Sequence, residues 1–343
     1  MFKSIVWAAA LLGTAGAVAT AEADDKLLTG DKTGAYYNDI GPQVEKVLEG
    51  KLFRYTLEPG AGTGGNFEAI AQVPYTVGLG QADAYALLDQ ATPGVVASVP
   101  TRVRECAFAV TKNKALVGTR SGEGWGNIMA VSNRLRVALP NAKSGSALTW
   151  KYIQSFNKAL GDVGQIDNYN TTAAALQATA NGSADIAFFV QMPDVDNSLF
   201  RLAQDLRLSW VGVGGRDMLL QTVRTARGAQ QVYFLDTVPV AKTWFGFGPP
   251  ETITTACTRV VVMTGDPEHF ERGSSEQKHL SEIIAALAGA PEVAFEPDRS
   301  GYRSAVASTK SAADEQPGFL SRVDQAAQQS GDALDDIVEE KAP

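Results

Sequence analysis

The sequence predicts an α/β protein built as two lobes, and three observations carry that reading. From residue 24 onward, short apolar strands alternate with stretches whose apolar residues recur at three- and four-residue spacing. The resulting order, β-α-β-α-β, implies a mainly parallel sheet. A second set of the same kind begins near Arg134, and no long low-complexity linker separates the two. Without a linker, the chain is expected to cross between the lobes more than once.

Residues 1–23 come first. Lys3 precedes an apolar run from Ile5 to Val18, and Ala21-Glu22-Ala23 forms a small-residue cleavage site. This is the pattern of an export signal, with an apolar run too short to span a bilayer. The mature chain is expected to begin near Asp24, to leave the cytoplasm and to carry no membrane insertion of its own. An uncleaved anchor is the other reading.

About 320 residues then remain, enough for two domains with cores of their own. The net charge is −8, and no basic cluster offsets it. That excludes nucleic acid and anionic membrane surfaces as expected partners, while leaving a small anionic ligand open. Cys106 and Cys257 are the two cysteines. In an exported chain they predict one disulfide, with two buried thiols as the alternative. With His269 and His279 they have no metal-ligand spacing, so neither a metal nor another cofactor is expected.

In the first lobe, Lys26 to Thr29 reads as a strand and Gly30 to Gly34 as a turn. The helix after them carries Tyr36, Ile40, Val44, Val47 and Leu48 on one face. Phe53 to Leu57 alternates as a half-buried strand does. A glycine-rich loop from Pro59 to Gly65 then leads to a short helix, Asn66 to Val73, and a strand from Val77 to Gly80. In the second set, Arg134 to Leu139 is a strand, and Leu148, Tyr152, Phe156 and Leu160 stripe the next helix. Asn170 can cap a helix through Ala180, Gly182 can end it, and Ile186 to Val190 is a buried strand. Further strands are expected at Arg207 to Val213, Gln231 to Asp236 and Arg259 to Met263. Helices are expected at Ser275 to Leu287 and Pro317 to Val338.

Each cysteine begins an apolar strand, which makes those strands candidate crossings between lobes. The expected division is residues 24–106 plus 258–343 in lobe 1 and residues 107–257 in lobe 2. A disulfide there would close a long loop.

Three turns share one design. Thr29-Gly30-Asp31-Lys32-Thr33-Gly34, Gly60-Ala61-Gly62-Thr63-Gly64-Gly65 and Lys143-Ser144-Gly145-Ser146 each follow a strand and precede a helix. Such helix starts present unpaired N–H groups and the positive end of the dipole, which suits a carboxylate or phosphate. Ordinary capping is the alternative for any one of them. The middle turn also satisfies G-x-G-x-x-G, with Asp83 near the distance of a ribose-binding acid. Its strand ends Glu58-Pro59, its helix is cut at Pro74, and the chain is exported, all of which oppose a dinucleotide. Tyr36, Tyr37, Thr63, Asn66, Gln81, Phe188 and Gln191 are further cleft candidates, with a core role the alternative for Tyr36 and Phe188. Gly118 to Gly126, with Trp125, reads as a flexible surface loop, or alternatively as a lid. No nucleophile elbow, triad or metal cluster marks an enzyme, and no catalytic residue is assigned.

The stretch Thr29-Gly30…Thr33-Gly34-Ala35-Tyr36-Tyr37 resembles the start of TAXI-type solute receptors of TRAP transporters. The likeness continues at Asn66-Phe67-Glu68-Ala69-Ile70, Gly78 to Asp83, Ser144-Gly145-Ser146 and Gly182 to Phe189. The resemblance implies a type II periplasmic binding protein fold: two α/β lobes, two hinge crossings and a ligand closed between them. It also implies a periplasmic monomer that passes a small organic acid, notably a glutamate-like dicarboxylate, to membrane permease subunits. On this reading the ligand set is Lys32, Thr33, Gly34, Tyr36, Thr63, Gly64, Asn66, Gln81, Lys143, Ser144, Gly145, Ser146, Phe188 and Gln191. Lys32 and Lys143 stand where the family has glycine, and the expectation is that both ammonium groups approach an anionic ligand. An ABC-type receptor or a periplasmic sensor of the same fold is the alternative, and a secreted enzyme ranks below both.

Overall fold

Residues 25–32, 34–242, 250–290 and 318–328 are described by the computed structural model. The expected signal segment and Thr33 lie outside the described residues. In chain order, the first half is β1 (Asp25–Leu28), a wide π-type turn at Tyr36–Ile40, α1 (Gly41–Glu49), β2 (Tyr55–Glu58), α2 (Thr63–Gln72), β3 (Val77–Gln81) and α3 (Ala82–Ala91). A long strand, β4 (Val95–Thr111), carries the chain into the second half. There α4 (Glu123–Ala130), β5 (Arg136–Leu139), α5 (Gly145–Phe156), β6 (Gln165–Asn168), α6 (Thr172–Ala180), β7 (Ile186–Gln191), α7 (Ser198–Asp205) and β8 (Ser209–Gly212) follow. A small hairpin, β9 (Thr222–Thr225) and β10 (Gly228–Gln231), precedes β11 (Tyr233–Ala241). The second long strand, β12 (Glu251–Gly265), returns the chain to α8 (Ser275–Gly289), and residues 318–328 form α9.

The two-lobed α/β form with two strand crossings is therefore present. β1 lies between β2 and β3 with all three parallel, and β5 lies between β6 and β7 likewise. The expected pair of separate sheets is instead one continuous sheet, ordered β2-β1-β3-β12-β4-β7-β5-β6. Strand length is the reason. At ~3.3 Å per residue β4 spans roughly 55 Å, so it pairs with β7 and β8 of the second half and with the antiparallel β12 along both, while β12 pairs with β3 of the first half and β11 of the second.

Where these strands cross, Cys106 lies directly opposite Cys257, and the two are bonded across a sequence separation of 151. The disulfide expectation holds, and the two-thiol alternative does not. A buried ion pair between Arg104 and Asp236 ties β4 to β11 beside it.

Three apolar groups hold the halves. Leu27, Ile40, Val44, Leu48, Val77 and Ile283 fill the first. Phe108, Phe189, Phe200 and Trp210 stack edge to face in the second. The third runs through the seam, from Phe67, Ile70 and Tyr85 to Trp125, Trp150, Phe188 and Phe319. The halves thus meet as packed surfaces, with α3 against α5.

Several elements differ from expectation. The Gly118 to Gly126 stretch is neither a surface loop nor a lid: α4 begins at Glu123, and Trp125 is 1% exposed. Its glycines serve close packing, since a Cβ on Gly126 would lie 2.5 Å from the Val323 carbonyl of α9. α9 itself sits on the second half, with Phe319 against Gly214 and Asp324 paired to Arg216 at 3.2 Å, whereas the sequence places residues 258–343 in lobe 1. The helix expected to continue through Leu160 breaks at Asn157, whose side chain accepts the Leu160 N–H and caps a new turn. Among the described residues, no helix is long and apolar enough to cross a membrane.

Candidate functional site

The three helix-start turns converge. In the first, Thr29 donates its hydroxyl to the Glu58 carbonyl at 3.0 Å, and the Gly34 N–H closes onto the Asp31 carbonyl at 2.8 Å. In the second, Gly62 takes φ +85° immediately before α2, a left-handed conformation that favours glycine. Thr63 then accepts the backbone N–H of Gln81 at 3.2 Å, which fixes the start of α2 against the end of β3. In the third, Ser144 accepts the Ala147 N–H at 3.2 Å as the cap of α5. Ser146 accepts the Val190 N–H at 2.9 Å, which holds α5 to the end of β7. The second and third turns come from opposite halves and touch. A Cβ on Gly64 would lie 3.0 Å from the Lys143 carbonyl, and one on Gly145 would lie 1.8 Å from Oε1 of Gln81 and displace that amide.

Between the turns is a cavity of about 200 Å³, lined by Gly30, Gly34, Ala35, Tyr36, Gly62, Thr63, Gln81, Glu105, Gly145, Ser146, Val190, Gln191 and Met192. At ~30 Å³ per water that is room for about seven waters, or one small organic molecule. Helix starts supply N–H donors on one side, because the first N–H groups of α2 and α5 have no partner within their helices. Glu105, from β4 at the crossing, supplies a carboxylate on the other. The Tyr36 hydroxyl donates to Glu105 Oε2 at 2.8 Å, and the Gln81 amide donates to the same carboxylate. Burial still outweighs those two donors and, with the Asp83 charge nearby, raises the Glu105 carboxyl to about 7.

Of the residues singled out in the sequence, Gly34, Tyr36, Thr63, Gln81, Gly145, Ser146 and Gln191 line this cavity. Gly64 and Ser144 belong to the same turns but are not among its lining residues. Asn66 is fully buried and structural: its amide donates to the Thr29 and Leu79 carbonyls at 2.7 and 2.8 Å, fastening α2 beneath β1 and β3. Phe188 lies in the core, edge to face with Trp150 at 5.0 Å. Lys32 is exposed and does not line the cavity. Lys143 turns outward to Glu68 at 2.9 Å, bridging the two halves at the surface. Thr33 lies outside the described residues.

The dinucleotide alternative is excluded by Asp83. It is fully buried, and its Oδ2 accepts from Thr149 at 2.7 Å and from Tyr233 at 2.9 Å, so no ribose reaches it. Asp185, at the other matched motif, is likewise structural, accepting from Arg136 at 2.8 Å and held below the usual carboxylate range by that guanidinium.

Glu105 is the residue that sequence reasoning missed. The available signal was a carboxylate directly before Cys106, in a strand already read as a crossing. A larger groove of about 1100 Å³, between Lys114, Arg207, Trp210 and Glu251, gathers exposed charges, and the one helix that starts at its edge is the four-residue turn Lys114–Val117. Among the described residues no cluster of three His, Cys, Asp or Glu side chains could hold a metal.

No family model matches the chain, and no curated protein matches it. Solved structures do. The GluR0 ligand-binding core in complex with L-glutamate aligns with 11% identity and TM-score 0.43, over 78% of this chain and 93% of that one. An R. palustris protein solved with adipate aligns with 16% identity and TM-score 0.40, over 90% of this chain and 97% of that one. A Xanthomonas citri protein bound to chloride aligns with 11% identity and TM-score 0.42, over 89% and 98%.

Proposed function

We propose that the protein is a solute-binding protein that captures one small organic ligand bearing a carboxylate between its halves. The observation that carries this reading is the convergence of three helix-start turns, from both halves, on one cavity of about 200 Å³. A ligand carboxylate there accepts N–H bonds from α2 and α5 together, so it binds the closed arrangement better than any open one. Closure is then a population shift set by that difference in affinity. In this reading Gly34, Tyr36, Thr63, Gln81, Gly145, Ser146 and Gln191 contact the ligand, and β4 and β12 are the crossings between lobes.

The finer statement is a periplasmic, monomeric receptor of the TAXI type that delivers its ligand to a TRAP-type permease. The turn sequences support it, as does a disulfide at the crossing, which fits an oxidising compartment. Calorimetry and thermal shift of the purified protein against small mono- and dicarboxylates test the capture reading. Saturable binding with a rise in melting temperature is expected, and the absence of binding across the panel overturns it. Association of the loaded protein with TRAP membrane subunits, against ABC-type subunits, decides the partner.

A further inference from the structure

The cavity does not offer the two sets of donors that a dicarboxylate needs. Among the described residues no Lys, Arg or His lines it, and the formally charged lining side chain is the acid Glu105. A second independent acceptor lies beside it. Gln81 is 4% exposed, and with its amide given to Glu105 its Oε1 has no hydrogen-bond partner among the described residues. That oxygen leans on Gly145, itself part of the lining, at the seam between halves. A buried acceptor without a donor is unfavourable by about 1–3 kcal/mol, so the pair calls for donors from a guest.

We infer that Glu105 and Gln81 form an ammonium subsite, and that the ligand is a small zwitterion of the amino-acid class with a single carboxylate. The inference rests on the capture reading above and deepens it. An ammonium carries three N–H donors and no acceptor, enough to serve the Glu105 carboxylate and Gln81 Oε1 together. The carboxylate of the same molecule takes the N–H groups at the starts of α2 and α5. A second carboxylate would find no cation in the lining, so dicarboxylates are disfavoured rather than selected. The Tyr36 hydroxyl positions Glu105 from the first turn. The arrangement is also consistent with the raised Glu105 carboxyl, since a neighbouring ammonium restores its charge.

The test is a paired panel on the intact exported chain, with each proteinogenic amino acid measured against the acid left when hydrogen replaces its amine. A charged hydrogen-bonded contact is worth about 1.5–3 kcal/mol, so an uncharged amino acid should bind at least about tenfold tighter than its des-amino partner. Glu105→Gln should bring that ratio close to one. Should this variant not fold, Tyr36→Phe keeps the carboxylate, loses its anchor, and should reduce the ratio several-fold. Equal binding within pairs, tighter binding of the dicarboxylates, or an unchanged ratio in Glu105→Gln overturns the inference while leaving capture intact. No binding in either series overturns capture itself, and the subsite with it.

Discussion

Two carboxylates flank Gln81, Asp83 fully buried and Glu105 half-buried, and they have opposite surroundings. Asp83, at the start of α3, is closed off: its side chain accepts from Thr149, Tyr233 and the Ala84 N–H at 2.7, 2.9 and 2.8 Å. Thr149 belongs to α5 in the other half, so this acid is a latch across the seam. Glu105 accepts from Tyr36 and Gln81 and lines the cavity. Burial is the leading cause that raises both carboxyls. The difference teaches that a perturbed carboxyl alone does not mark a site. What marks it is capacity left over after the protein's own donors are counted.

The largest expected effect concerns the crossing beside Glu105. Replacing Cys106 and Cys257 together with serine removes the bond that closes a loop of 151 residues, and should lower stability by about 4 kcal/mol in urea unfolding. An unchanged midpoint would mean that the strand pairing alone sets the crossing. Next, Asp83→Ala leaves the Thr149 and Tyr233 hydroxyls unpaired in the seam. A loss of about 2–4 kcal/mol is expected, against less than ~1 kcal/mol for Glu105→Gln, whose neighbours keep their contacts. Equal losses at the two positions would erase the contrast.

A pH series separates the two acids further. The folded chain holds a proton on Glu105 that the unfolded chain releases near its ordinary value of 4.5, up to about 7 when folded. Folding therefore weakens as pH rises through that interval and levels off above it. Tyr36 and Asp83 are the titratable groups facing Glu105. Asp83 contributes a decline of the same sign, starting lower. Unfolding midpoints from pH 4.5 to 8 should show the Glu105 part of the decline vanish in Glu105→Gln and shrink when an amino-acid guest is bound. The Asp83 part should stay in both cases.

The smallest effect is at the surface. Lys143 and Glu68 bridge the halves while 63% and 55% exposed, and such pairs contribute about 0–1 kcal/mol. Lys32→Met with Lys143→Met should leave affinity within about twofold. A larger loss would give these lysines the ligand role that their positions in the sequence suggested.

Most of the architecture was legible because apolar spacing and turn chemistry are local. Val44 and Leu48 face inward as their spacing predicts, and Gly182 ends its helix at φ +84°. The three helix starts could be read for the same reason. What could not be read depends on contacts distant in sequence. Asn66 looked like a cleft amide, yet it holds carbonyls 37 and 13 residues away. The glycines around Trp125 looked like a loop because their partner, α9, is some two hundred residues further on. Glu105 drew no attention because its pairing with β12 and the cavity it lines appear only once the sheet is assembled.

Because Cys106 and Cys257 are bonded in register, β4 and β12 cannot slide past one another, and relative motion of the halves reduces to bending about that rung. Glu105 is one residue from it, so it sits at the fulcrum, while the starts of α2 and α5 ride on the lever arms. A guest anchored at the fulcrum would stay put while the arms swing in, and its release would begin at the end where leverage is greatest.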